Sequence, residues 1–161
     1  MYTLKKKKNK KIAYVAMSAD LIHPGHLNII NTAAKYGKVV VGLLTDQAIQ
    51  TYKKKPFMNF QNRFLVVSAL KKVFKVIPQL THDYTANLLK IKPDFVVHGD
   101  DWKAGVQKNV RLDVLKVLKK WNGKLIEPAY TKSFSSTKLR KIFKKISKTS
   151  KIKSKYIKIN H

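Results

Sequence analysis

KIAYVAMSADLIHPGHLNIINTAAKYGKVVVGLL, residues 11–44, changes its apolar period twice. KIAYVAM (11–17) is a short β-prone apolar run. LNIINTAAKYG (27–37) carries its apolar residues at helical spacing and stops at Gly37, and KVVVGLL (38–44) is a continuous apolar run of the kind a strand buried on both faces shows. Two such strands joined through a helix form a right-handed βαβ unit, so a parallel sheet is implied.

The pattern repeats outward from this unit. TDQAIQTYKKKPFMN (45–59) reads as a short helix running into a basic loop. FQNRFLVVSALKKV (60–73) places 64, 65, 67 and 70 on one helical face and is followed by the strand FKVIPQ. YTANLLKIK (84–92) is helical, PDFVVHGD (93–100) a buried strand ending in a polar corner, VRLDVLKVLKKWN (110–122) an amphipathic helix and GKLIEPA (123–129) a last strand. Five strands alternating with helices predict a single-domain α/β fold, a Rossmann-like doubly wound five-stranded parallel sheet. Ligands of such sheets bind beyond the carboxyl ends of the strands, which directs attention to residues 18–26, 45–55, 98–102 and 130–137.

With 161 residues, 44% of them hydrophobic, the chain can bury one core, and its formal charge of +27 sits unevenly. Lysines crowd KKKKNKK (5–11) and KKISKTSKIKSKYIKINH (144–161), whereas most of the eight acidic residues lie between them. The expected division is a basic arm over 1–10, a catalytic domain over 11–145 and a basic tail over 146–161. Such charge suits a nucleic acid, an anionic membrane surface or a highly phosphorylated small substrate, and does not choose among them. There is no cysteine, which excludes disulfides and thiolate metal sites. No apolar run is long enough for a membrane span and none is followed by a signal-peptide cleavage pattern, so a cytoplasmic protein is expected.

The first corner, SADLIHPGH (18–26), holds Ser18, Asp20, His23 and His26 around Pro24-Gly25. A helix opening near Gly25 turns its free amides toward the corner and favours an anion there, and two imidazoles add donors for phosphate oxygens. Two other readings stand beside this one. The histidines and Asp20 could hold a metal, although HxxH supplies only two ligands, or the rings could simply cap the helix. At the last corner, Ser135, Ser136 and Thr137 stand where a helix N-terminus would offer hydroxyls and amides to phosphate.

HPGH at the mouth of the first helix resembles the HxGH signature of the nucleotidyltransferase superfamily. VVHGDDW (96–102) resembles the strand-end GDDW of glycerol-3-phosphate cytidylyltransferase-like enzymes, FSSTKLR (134–140) their ISTTKI, and YKKKPFMNFQNR (52–63) their Lys-rich loop leading to an arginine. The segments occur in the family's order and the resemblance spans residues 12–143. In wording, MSADLIHPGHLNII, GLLTDQAI, VVHGDDWKAGVQK and SSTKL are most similar to the cytidylyltransferase domains associated with phosphoenolpyruvate phosphomutase in phosphonate biosynthesis.

The resemblance implies transfer of CMP from CTP to a small phosphonate, foremost 2-aminoethylphosphonate, with release of pyrophosphate. Phosphoethanolamine, phosphocholine or glycerol 3-phosphate are alternative acceptors, and ATP an alternative donor. It assigns catalysis to His23, His26, one of Lys53, Lys54 and Lys55, and Arg63. Nucleotide binding falls to Ser18, Ala19, Asp20, Gly25, Gly99, Asp100, Ser135, Ser136 and Thr137, and the acceptor to Asp20, Tyr84, Asp101, Trp102 and Tyr130. No metal site of the protein's own is expected; Mg²⁺ arrives with CTP, and Asp20 is the residue that could touch it. Tyr130 replaces the arginine of the glycerol-3-phosphate enzymes' RTEGIS, as in the phosphonate-associated group, and Ser133 stands where glycine is usual. The relatives imply a homodimer. Specific nucleic-acid binding is not expected, the basic tails being suited to anionic surfaces. A non-catalytic polyanion-binding module is the reading from another class.

Overall fold

Alternate residues of the first two strands face opposite ways, and both sets are apolar. In the computed structural model, which describes residues 11–129, 131 and 138–146, Tyr14, Ala16, Val40 and Leu44 form one buried layer with Leu88, Val114, Val117 and Leu118, while Ala13, Val15, Met17, Val39, Val41 and Leu43 form another with Ile30, Ala33 and Val67. A sheet apolar on both faces must be covered on both faces, which is the doubly wound arrangement.

The strands are β1 (Ile12–Met17), β2 (Lys38–Leu44), β3 (Val73–Gln79), β4 (Phe95–Val97) and β5 (Lys124–Ile126). They form one sheet in the order β3-β2-β1-β4-β5, parallel throughout. β1 runs in register with β2 from Ile12 opposite Lys38 to Met17 opposite Leu43. The helices are α1 (Pro24–Tyr36), α2 (Asp46–Gln50), α3 (Phe60–Ser68), α4 (Thr85–Ile91), α5 (Lys108–Leu118) and α6 over 138–146. α1 and α3 cover one face; α4 and α5 cover the other. The chain order reverses between β1 and β4, so the crevice of a switch point opens beyond Met17 and Val97.

This is the α/β architecture expected from the sequence, with three local differences. α1 starts at Pro24, capped by His23, because proline is preorganised for the first helical position and has no amide to lose there. α3 stops at Ser68 rather than running to residue 73, and Leu65 lies exposed while Val67 is fully buried. After β4 the chain tightens into a 3₁₀ turn over Asp100–Lys103.

Beneath the crevice the sheet carries a polar knot. Tyr14 on β1 donates its hydroxyl to Gln79 Oε1 on β3, across Gly42 on β2. Asn87 Nδ2 on α4 donates to Tyr14 Oη (3.0 Å), Gln79 Oε1 (2.9 Å) and Pro78 O (3.0 Å). Only glycine lets the tyrosine cross the middle strand: a Cβ on Gly42 would lie 1.8 Å from Tyr14 Oη. Gly42→Ala is therefore expected to destabilise the domain by about 1–3 kcal/mol or more, because Tyr14 is fully buried and has nowhere to retreat. A urea unfolding midpoint unchanged from wild type would contradict this.

Candidate functional site

The crevice is a cleft of about 190 Å³ lined by residues from every corner that the described chain reaches. Ser18, His23, Gly25 and His26 come from the first corner and Tyr52 and Lys53 from the basic loop. His82 and Tyr84 follow β3, His98, Gly99 and Asp101 follow β4, and Gln107 and Thr131 complete the rim.

The two histidines of HPGH do two things at once. His23 is the N-cap of α1: its Nδ1 accepts from Gly25 N at 3.1 Å, and His26 Nδ1 accepts from His23 N at 3.4 Å, a reciprocal capping box made of imidazoles. The rings lie 4.0 Å apart between centroids. An Nδ1 that accepts carries no proton, so in the neutral ring the proton is on Nε2, and both histidines line the cleft. Gly25 permits this fold-back, since a Cβ there would stand 2.9 Å from His23 Cε1. Capping and anion binding use different nitrogens of the same ring and are compatible.

Burial keeps these rings neutral. It lowers the pKa of His23, and it lowers that of His26 to about 3, with His23 and Lys53 adding to the effect. His82 is lowered by burial and by Lys53; His98 is lowered by burial, against opposing contributions from the Gly99 carbonyl and Asp101. The sign for stability follows directly. Between the folded pKa of His26 near 3 and the ordinary histidine value of 6.5, the unfolded chain binds more protons than the folded one. Stability is thus present in full above about pH 6.5 and is lost as the pH falls toward 3. The melting temperature is expected to drop between pH 7 and pH 4, and less steeply in His26→Asn; parallel curves would refute the assignment.

Two lining histidines were not singled out from the sequence. His98 ends β4 and stacks on Trp102 with centroids 4.0 Å apart and planes 12° from parallel. His82 stacks on Tyr52 at 4.0 Å and meets Gln107 Nε2 at 3.2 Å. The Tyr52 hydroxyl is 2.8 Å from Ser18 Oγ, which fastens the start of the basic loop to the end of β1. All three loop lysines are exposed, but of them Lys53 lines the cleft, its Nζ 4.9 Å from the Tyr52 ring centre, and Lys54 and Lys55 do not. The sign that would have pointed to His98 is its place at a strand's carboxyl end; His82 had no comparable signal.

Several expected site residues are placed elsewhere. Arg63 is fully buried and outside the cleft lining. Its Nε donates to Met58 O at 3.1 Å, one terminal nitrogen to Ser18 O at 2.6 Å and Leu44 O at 2.8 Å, and the other to Asp46 Oδ1 at 2.6 Å. A guanidinium so engaged clamps the loop and the ends of two strands together and has no fork left for phosphate. Asp20 is also buried: Oδ1 accepts from Phe57 N (2.6 Å) and Met58 N (3.2 Å), and Oδ2 pairs with Arg140. Its carboxylate serves the loop rather than the cleft. Ala19, before it, is fully buried at φ 49°, a left-handed turn that a non-glycine residue adopts only when its surroundings impose it.

Trp102 is buried behind His98 and donates Nε1 to Glu127 Oε1 at 2.7 Å. Glu127 is held by Arg111 at 2.8 and 2.9 Å, and these donors lower its pKa. Tyr84 is buried yet lines the cleft, and burial raises its phenol pKa. Asp101 is the one carboxylate among the lining residues, whereas Asp100 does not line the cleft. Tyr130, Ser133, Ser135, Ser136 and Thr137 lie outside the described residues. Among the described residues there is no group of three His, Asp or Glu placed to hold a metal ion, and no helix long and apolar enough to cross a membrane.

A parallel sheet with a donor-lined cleft at its switch point defines the class of α/β domains that hold nucleotides at strand ends. Within that class the chain belongs to the cytidylyltransferase-like family, which it matches over residues 17–158, and so to the nucleotidyltransferases. It is 35% identical over 128 residues to the ethanolamine-phosphate cytidylyltransferase of Dictyostelium discoideum, covering 78% of this chain and 34% of that protein. It is 35% identical over 82 residues to the FAD synthase of Archaeoglobus profundus, covering 51% and 53%. The chain thus spans about half the length of that FAD synthase and a third of the slime-mould enzyme. Among solved structures, the lipopolysaccharide core biosynthesis protein of Thermoplasma volcanium superposes with a TM-score of 0.66 at 21% identity, over 76% of this chain and 99% of that one, a likeness of fold.

Proposed function

We propose that this protein is a cytidylyltransferase that joins CMP from CTP to a small phosphonate, foremost 2-aminoethylphosphonate. The observation carrying the proposal is the imidazole capping box: two neutral rings, tautomers set by the helix amides, offering Nε2–H donors beside the Lys53 ammonium. In the reaction an acceptor oxygen attacks the α-phosphorus, the new P–O bond forms as the bond to the bridging oxygen of the β-phosphate breaks, and pyrophosphate leaves with the electron pair. The acceptor is already an anion, so no protein base is required. His23 and His26 stabilise charge on the α-phosphate and Lys53 charge on the leaving pyrophosphate. Donors fixed before the substrate arrives need no reorganisation in the transition state.

Asp101 is the group in the cleft suited to an ammonium, with the Tyr84 ring as an adjoining aromatic wall. This favours an aminoethyl head over glycerol. A second reading, phosphoethanolamine as acceptor, is favoured by the similarity to an ethanolamine-phosphate cytidylyltransferase. Mg²⁺ as a partner of the CTP phosphates belongs with the substrate; the described residues do not fit a protein-held metal site, Asp20 being engaged through both oxygens.

The test is pyrophosphate release from CTP or ATP with 2-aminoethylphosphonate, 2-hydroxyethylphosphonate, phosphoethanolamine, phosphocholine and glycerol 3-phosphate in turn. The highest kcat/KM is expected for CTP with 2-aminoethylphosphonate. Preference for phosphoethanolamine would establish the second reading, and no release in any combination would favour a binding module.

A further inference from the structure

The loop that carries Lys53 is tied down from an unexpected direction. Arg140, on α6 near the C-terminal end of the described chain, reaches back to Asp20 Oδ2 and donates to the carbonyl oxygen of Lys55 at 2.9 Å. Its guanidinium carbon lies 4.3 Å from the centre of the Phe57 ring, and Phe143, one helical turn further on, meets that same ring edge-on at 6.3 Å. Asp20 closes the circuit, holding the amides of Phe57 and Met58 with its other oxygen. The loop thus has three fasteners: Tyr52 to Ser18 at its start, Arg63 to Met58 O at its end, and Arg140 at its middle. The first two come from the core of the domain; the third comes from a helix more than eighty positions away in sequence.

We propose that Arg140 is a positioning residue for nucleotidyl transfer: by joining Asp20, the Lys55 carbonyl and the Phe57 ring, it holds the 53–58 loop so that the Lys53 ammonium stays in the cleft. The inference rests on the functional reading above. The chemistry is specific to arginine. A guanidinium can meet a carboxylate and a carbonyl in one plane while its flat face lies on an aromatic ring, and an ammonium can do only part of this. Asp20 has a role in the same circuit that differs from metal or acceptor binding: it is the anchor that both the loop amides and Arg140 share. α6 is consequently part of the active unit although none of its residues lines the cleft.

Two measurements on the full chain test this. The first reads the loop directly. The chain has no cysteine, so Lys54→Cys accepts a single fluorescent label at an exposed loop position. Read in native buffer well below the unfolding midpoint, which loss of the Asp20 partner also lowers, Arg140→Ala is expected to lower the label's anisotropy, and Arg140→Lys to fall between. The second is a double-mutant cycle on turnover. Misplacement of a catalytic group from a distance costs about 10²-fold, so Arg140→Ala is expected to lower kcat by that order in the wild-type background and to add little in a Lys53→Ala background, because its effect passes through Lys53. Unchanged anisotropy in Arg140→Ala and Arg140→Lys overturns the clasp. Rate losses that multiply across the cycle overturn its action through Lys53. Should the wild-type chain release no pyrophosphate at all, the functional reading fails, while the anisotropy still decides whether Arg140 holds the loop.

Discussion

His26→Ala is expected to lower turnover by about 10²–10³-fold, the usual result of removing one preorganised donor from a developing oxyanion. The difficulty with this variant is that His26 also caps a helix, through Nδ1 and the amide of His23. Alanine removes both functions, and loss of a cap alone costs about 1 kcal/mol of stability. His26→Asn separates them. Asparagine places an oxygen near the position of Nδ1 and can accept from the same amide, but it has nothing where Nε2 stands. Turnover should therefore fall as far in His26→Asn as in His26→Ala, while the asparagine variant recovers most of the unfolding midpoint. If asparagine restored activity along with stability, the ring's contribution would be the cap alone, and the proposed transition-state role would be lost.

Arg63→Ala is expected to have the largest effect on folding. The side chain is fully buried with donors to three carbonyl oxygens, and its one carboxylate partner, Asp46, is only partly exposed. Breaking such a pair from one side leaves a carboxylate and three carbonyls short of their donor, at a cost of about 3–5 kcal/mol. Against a typical total of about 5–15 kcal/mol, this is enough to unfold a large share of the molecules at moderate temperature. Arg63→Lys retains the charge but cannot meet groups on three sides, so it should recover part of the loss. Urea unfolding measures both. If Arg63 were a phosphate ligand instead, Arg63→Ala would keep its midpoint and lose CTP affinity, so the two roles give opposite patterns.

Arg63 also shows where sequence reasoning stops. Its charge and its place after a basic loop are visible in the residue letters, but the groups that claim it are the backbone oxygens of Ser18, Leu44 and Met58, which no letter encodes. Asp20 is the same case with backbone amides. The alternation of strands and helices was legible because β1 and β2 are buried on both faces, and such strands cannot hide in polar sequence. His23 and His26 could be read because three positions on a helix form a local pattern. His98 offers only its place at a strand's carboxyl end and His82 no sign at all, since they enter the cleft from beyond β3 and β4, strands separated in the sheet by two others. The letters make Lys53, Lys54 and Lys55 equal candidates; all three are exposed, and it is the residue next to the fastened Tyr52 that borders the cleft.

The imidazole cap carries a consequence for how the first helix reaches its ligand. In most anion sites at helix N-termini the amides touch the anion themselves. Here two of those amides, of His23 and Gly25, are already met by ring nitrogens, and the proton offered outward sits on the far side of each ring. The helix terminus is relayed through an aromatic spacer, and polarisation can pass along the chain of hydrogen bonds from amide to ring to phosphate. The pair of histidines therefore extends the positive end of α1 by the width of an imidazole, along a cleft that the α1 backbone itself borders at Gly25.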